Sequence, residues 1–266
     1  LVLKEDGKPE IHFRLGNRLG HGRRGPVYRA LNLNTGQMMA VKRIQLEELQ
    51  VEHAISLLRE VDVVKRLSHP NIVNYESVVR DTDSLSIVMK YGDNDSLAQT
   101  LKAFGNFNEL LAARYIIPIL KGLHYLHSND IVHGDIQVEN ILTNNLNGTV
   151  KLTGFGLAFN LPALDSEKAN WMAPEIIELQ SPPSTKSDIW SLGCTIIEMV
   201  TGHPPYCEIE DDLSVMFRIV DDETIPLPEG CSSSLRDLLT QCFNKDPAKR
   251  PDAELFSEHQ WLQKNW

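Results

Sequence analysis

The stretch His133-Gly134-Asp135-Ile136-Gln137-Val138-Glu139-Asn140 (HGDIQVEN) decides how the rest of the chain is read. It follows residues 110–127, a segment in which Ile116, Leu120, Leu123 and Leu126 recur at helical spacing on one face. A helix therefore delivers the chain to a loop on which Asp135 and Asn140 stand five residues apart. On such a loop a carboxylate can orient a hydroxyl, and an amide oxygen can ligate a metal. Pro118 lies inside the helix and predicts a kink, since its ring removes a backbone donor at a cost of roughly 3 kcal/mol.

Downstream of the loop come Gly154-Phe155-Gly156, Met172-Ala173-Pro174-Glu175, Asp188-Ile189-Trp190 and finally Arg250. Residues 187–200 (SDIWSLGCTIIEMV) are apolar nearly all round, which predicts a helix buried on every side, with Gly202 as its stop. Residues 235–243 and 253–261 read as two further short helices. Glu208, Glu210, Asp211 and Asp212 form an acidic stretch, either a solvated loop or helix face or a docking surface.

Upstream, Gly20-His21-Gly22-Arg23-Arg24-Gly25-Pro26-Val27 fits G-x-G-x-x-G-x-V. A dinucleotide-binding turn needs a strand before it and a helix after it. Here the glycines join two strand-like runs, LGNRLG and GPVYRALNL, so a β-hairpin lid is the better reading. Glycine lets the backbone N–H groups of such a lid lie close over phosphates. A third run, QMMAVKRI, follows the turn Asn34-Thr35-Gly36 and carries Lys42. Eighteen residues on, Glu60 falls on a helix marked by Ile55, Leu58, Val61, Val64 and Leu67. A lysine closing an apolar strand and a glutamate on the next helix can bridge an internal ion pair to an anionic ligand. Strands follow over residues 72–79 and 85–89, and near residues 90–95 the texture turns from β-rich to helical.

The chain has 266 residues, 42% of them apolar, enough for a substantial core. Its 26 basic and 36 acidic side chains leave a net charge of −10, which argues against nucleic-acid binding as the main task. Cys194, Cys207, Cys231 and Cys242 form no CxxC pair and read as thiols of a reducing compartment, so a cytoplasmic protein is expected. No apolar run approaches the roughly 18 residues of a membrane span.

Six motifs in this order and at these separations resemble the eukaryotic protein kinase family over about residues 13–262. HPNIV, WMAPEIIEL, SDIWSLGCTIIEM and KDPAKRPDAELF are most similar to the mitogen-activated kinase kinase kinase group, and within it to fungal septation-signalling kinases and their plant counterparts. The resemblance implies an α+β bilobal fold: a tail at 1–12, a small β-rich lobe at 13–91, a mainly helical lobe at 92–262, and a C-terminal end at 263–266. It implies ATP between the lobes, with Gly20, Gly22, Gly25 and Val27 over the phosphates and Lys42 holding them while paired with Glu60. By the same resemblance Asp135 is the proton acceptor and Asn140 a metal ligand. Met89 falls at the gatekeeper position, and Lys90, Tyr91 and Gly92 at the hinge. Val27, Ala40 and Leu142 sandwich the adenine. Tyr75, Val64, Phe155 and His133 form the apolar stack that couples the lobes, with Asp188 beneath it, and Glu175 pairs with Arg250.

Four departures from the family pattern bear on activity. Gly154 stands where a metal-binding aspartate is usual, Gly134 where an arginine pairs with a phosphorylated segment, and Gln137 where a lysine steadies the γ-phosphate. Residues 154–175 are also short and lack G-T-P-Y before WMAPE. Arg23 and Arg24, at the tip of the glycine loop, are either solvated or partial substitutes for the lost metal charge. Phosphoryl transfer relies on positioning and electrostatics, so a missing metal ligand has few substitutes. The expectation is a pseudokinase: ATP-site scaffold largely kept, Mg²⁺ binding weakened or absent, and a protein partner in a kinase cascade. An active serine/threonine kinase using Asn140 alone for metal is the alternative, and a non-functional product is a third reading.

Overall fold

A computed structural model describes residues 1–3, 10–22, 25–45, 66–81, 83–92, 95–144, 148–154 and 166–264. The chain divides into two compact units, Leu1–Asn94 and Asp95–Trp266. The first is β-rich and the second mainly helical, an α+β architecture.

In the first unit, β1 (Val2–Leu3), β2 (Ile11–Gly22), β3 (Gly25–Asn32), β4 (Met38–Gln45), β5 (Tyr75–Arg80) and β6 (Ser84–Lys90) form one sheet. Their spatial order is β1-β2-β3-β4-β6-β5, with every pairing antiparallel. Strand β6 lies between β4 and β5 and is buried from Ser84 through Met89, as a nearly continuous apolar run requires. The β3–β4 turn is tied by Asn32, whose Oδ1 accepts from Asn34 N (3.0 Å) and Thr35 N (3.2 Å).

The lead-in at 1–12, expected to be a tail, instead carries strand β1 and the start of β2, with Val2 opposite His12 and Leu3 opposite Ile11. Hydrophobic burial is the reason. Leu1, Ile11 and Leu15 pack on a core of Phe13, Ala30, Met39, Val41, Val79 and Val88. The helix expected to carry Glu60 and Val64 lies outside the described residues, which resume at Arg66.

The second unit has a small sheet of β7 (Asp95–Ser96), β8 (Ile141–Asn144) and β9 (Thr149–Leu152). Around it lie α1 (Leu97–Phe104), α2 (Glu109–His127), α3 (Pro174–Ile177), α4 (Thr185–Thr201), α5 (Asp212–Asp221), α6 (Ser233–Cys242), α7 (Ala253–Ser257) and α8 (Gln260–Gln263). Asn108 caps α2 through Leu111 N at 2.8 Å. The helix is continuous through Pro118. Ala113 and Ile116 before it, and Ile119, Leu120 and Leu123 after it, are all buried, and their packing outweighs one lost backbone bond.

Helix α4 is the centre of this unit. Ser184 and Ser187 cap each other reciprocally at its start, Gly202 ends it at φ 86°, and it buries residues on every face. The segment read as one helix over 253–261 is two, because the His259 ring accepts from Trp261 N (3.1 Å) and starts α8. Arg250 and Glu175 form a fully buried bidentate pair, Nη1 to Oε1 and Nη2 to Oε2 at 2.7 Å each. The Arg250 guanidinium also lies 4.9 Å from the Trp190 ring centre and donates to Asn244 O (2.8 Å) and Lys186 O (3.1 Å).

Candidate active site

Asp188, in the first turn of α4, fixes the loop that carries Asp135. Its buried carboxylate accepts from His133 N and Gly134 N at 2.8 Å each, and His127 Nε2 lies 2.9 Å from Oδ2. Gly134 takes φ 71° there. The fully buried His133 ring then accepts from Asp135 N at 3.2 Å through Nδ1. Burial holds the His133 imidazole below its ordinary pKa, with Asp188 and Asp135 opposing that shift, and the neutral ring keeps the lone pair that the bond requires.

The Asp135 carboxylate is engaged on both oxygens. Gln137 Nε2 donates to Oδ1 at 2.7 Å, and Asn140 Nδ2 donates to Oδ2 at 2.7 Å and to Asp135 O at 2.8 Å. Both groups facing Asn140 Nδ2 are acceptors, so the orientation of that amide is set by chemistry. Its oxygen is therefore turned the other way, toward Gly154. Gly154 holds φ 80°, and a Cβ placed on it would sit 2.8 Å from Asn140 Oδ1 and 3.0 Å from Asn140 Cγ. The asparagine fills the space that a side chain at 154 would need.

Of the magnesium centre that the resemblance implies, the Asn140 oxygen is present and a side-chain oxygen at position 154 is missing. Hard cations of this kind take oxygen ligands, typically with one or two carboxylates. Here position 154 offers no side-chain oxygen, Asn140 bonds Asp135 through its amide nitrogen and keeps its oxygen toward residue 154, and both Asp135 oxygens already accept from amides. Among the described residues no group of three or more His, Cys, Asp or Glu could hold a metal. The loop can orient a hydroxyl at Asp135, but Gln137 brings it no cation.

In the first unit the expected nucleotide residues share one sheet. Gly20 pairs with Val27 and Gly22 with Gly25 across the β2–β3 hairpin, whose tip at Arg23 and Arg24 lies outside the described residues. Buried Lys42 stands opposite Val27 on one side and Ile87 on the other, and half-buried Ala40 stands opposite buried Met89. Tyr91 follows β6, and its hydroxyl accepts from Arg29 Nη2 at 2.7 Å. Tyr75 is buried on β5. Leu142 is half-buried on β8 of the second unit. Phe155 lies outside the described residues.

Glu198 was not singled out by the sequence, because it sits inside the apolar run of α4. It is buried, among the described residues its Oε2 has no hydrogen-bond partner, and burial, with the Glu139 charge adding to it, raises its pKa from 4.5 to about 8 against a lowering by the Trp171 side chain. A carboxyl that stays protonated to higher pH when folded than when unfolded stabilises less as pH rises between those two values. Glu198→Gln has no proton to lose. Relative to the parent it should gain stability from about pH 4.5 to about pH 8, at up to about 1.4 kcal/mol per pH unit. Urea melts at pH 5, 6.5 and 8 check this, and parallel pH profiles would remove the buried acid from the account.

Residues 13–262 match the protein kinase domain family. Over 254 residues the chain is 44% identical to cytokinesis protein sepH of Emericella nidulans, which covers 94% of this chain and 19% of that protein. It is 43% identical over 252 residues to cell division control protein 7 of Schizosaccharomyces pombe, covering 93% of this chain and 23% of the relative. Against MAP3K epsilon protein kinase 1 of Arabidopsis thaliana the identity is 41% over 258 residues, 94% of this chain and 19% of the relative. The chain thus spans about a fifth of the length of these relatives.

Proposed function

The chain belongs to the protein kinase family, and on that premise we propose that it is a kinase-fold signalling module whose phosphoryl transfer is impaired. The observation that carries this reading is the pairing of Gly154 with Asn140. The position that should supply a metal-binding oxygen has none, and the Asn140 oxygen stands alone where the two ligands would meet. If that loss removes about 4 kcal/mol of transition-state stabilisation, the rate falls about 10³-fold. Gln137 in place of a cation compounds the loss. Its work would then be done through a protein partner in a signalling cascade in the cytoplasm, in line with relatives named for cytokinesis and cell division. Among the described residues no helix is long and apolar enough to cross a membrane. ATP would be held by Lys42 and the glycine hairpin with little help from Mg²⁺.

Retained Lys42, Asp135 and Asn140 favour the second reading, an active serine/threonine kinase. One assay separates the two. Purified chain and its Asp135→Ala variant are given labelled ATP, Mg²⁺ and a generic protein substrate. Both are expected to transfer phosphoryl only at background. Transfer by the parent that Asp135→Ala abolishes would establish the active enzyme instead.

A further inference from the structure

Helix α5 carries two apolar faces where a surface helix normally has one. Val215, Met216 and Ile219 are buried against the second unit. On another face Leu213 is 61% exposed and Phe217 74% exposed, and Val220 follows at the spacing that continues the same stripe. That stripe ends at a cavity of about 360 Å³ between α3 and α5, whose wall includes Val220, Pro174, Glu178, Gln180, Asp221 and Glu223.

Between Glu178 and Gln180 of that wall, Leu179 is 76% exposed and held at φ 55°. It occupies the left-handed position that ends α3: Leu179 N donates to Ile176 O (3.1 Å) and Gln180 N to Glu175 O (3.0 Å). Glycine is the usual residue in this motif, and a side chain there costs roughly 1–2 kcal/mol. This leucine gains nothing from burial and is disfavoured by its backbone, so the fold itself gives no reason for it.

The charge around the cavity is one-sided. Glu175 is neutralised by Arg250, and Asp222 by Arg218. Lys245, the one cation of the wall among the described residues, donates to the carbonyls of Ile219 and Val220. Glu178, Asp221 and Glu223 form no close ion pair among the described residues; Lys245 acts on Glu178 and Asp221 at longer range, so three acids face one cation.

We propose that the α3–α5 face, with Leu213, Phe217, Val220 and Leu179 around an acidic cavity, docks a basic amphipathic helical segment of a partner protein. Apolar anchors of such a segment cover the stripe while its lysines or arginines meet Glu178, Asp221 and Glu223. A second copy of this chain is a poor occupant, since a two-fold contact would set this acidic face against itself in a protein of net charge −10. The docking role stands whether or not the chain transfers phosphoryl groups.

The test uses a fluorescein-labelled helical peptide of about 18 residues with leucines at i, i+3, i+4 and i+7 and lysines elsewhere, read by fluorescence anisotropy. Leu179→Gly and Phe217→Ser should each weaken binding by at least about tenfold. Both keep the net charge, so a merely electrostatic attraction would not respond. Leu179→Gly should melt at or above the parent temperature, which separates lost contact from lost fold, and Phe217→Ser decides the matter independently. A peptide with glutamates in place of the lysines should not bind. The proposal is overturned if the lysine peptide does not bind, if either folded variant binds it as the parent does, or if the glutamate peptide binds equally. It is also overturned if the parent self-associates through this face and Phe217→Ser abolishes that association.

Discussion

Arg250→Met is expected to destabilise the chain by about 3–5 kcal/mol, because it strands the Glu175 carboxylate in the interior. The pair is dry, with the two side chains 0% and 3% exposed, so no water is at hand to solvate the abandoned charge. The same change withdraws the donors to Asn244 O and Lys186 O and the cation over Trp190. Glu175→Gln combined with Arg250→Met removes the charge as well as its partner, so the double variant should lose less than Arg250→Met alone. Urea unfolding followed by tryptophan fluorescence reads both. A loss below about 1 kcal/mol for Arg250→Met would mean that the pair is not what holds this corner together.

Gly154→Asp is expected to raise Mg²⁺-dependent phosphotransfer by at least about tenfold over the parent, yet short of ordinary kinase rates. Aspartate tolerates a positive φ better than most side chains, so the backbone can stay as it is. The new Cβ, however, lies 2.8 Å from Asn140 Oδ1, and the asparagine must turn aside. Turning it loosens its two bonds to Asp135 and moves its amide oxygen off the new Cβ, while the aspartate supplies the missing carboxylate. Gln137 still supplies no positive charge, which is why recovery should be partial. Gly154→Ala makes the same contact without an oxygen and should gain nothing, separating the release of Asn140 from the supply of a ligand. A full return to kinase rates would show that Gln137 and the short segment after residue 154 matter little. No gain at all would remove the missing carboxylate as the decisive defect.

What the sequence disclosed is what covalent spacing encodes. Asp135 and Asn140 on one loop, Lys42 on its strand and the all-round burial of α4 could be read from order and periodicity, because each is fixed by a local pattern; the pairing of Glu175 with Arg250 came only through the family resemblance. The direction in which the Asn140 amide turns could not, since it follows from acceptors on Asp135 and from an empty space at Gly154. Glu198 was hidden by its neighbours: one acid inside an apolar run does not change the helical pattern. Leu179 gave no warning either, because leucine is not a turn residue and its left-handed backbone is imposed by the bonds closing α3. Strand β1 is only two residues long, too short for any period to register.

Gly134 on the Asp135 loop and Gly154 after β9, at φ 71° and 80°, make the site a ratchet. At each, a mutation to glycine relaxes the backbone, and a mutation away from it is uphill by roughly 1–2 kcal/mol for most side chains. Random change is therefore biased toward keeping both positions bare, and any side chain placed there draws on stability supplied elsewhere in the fold.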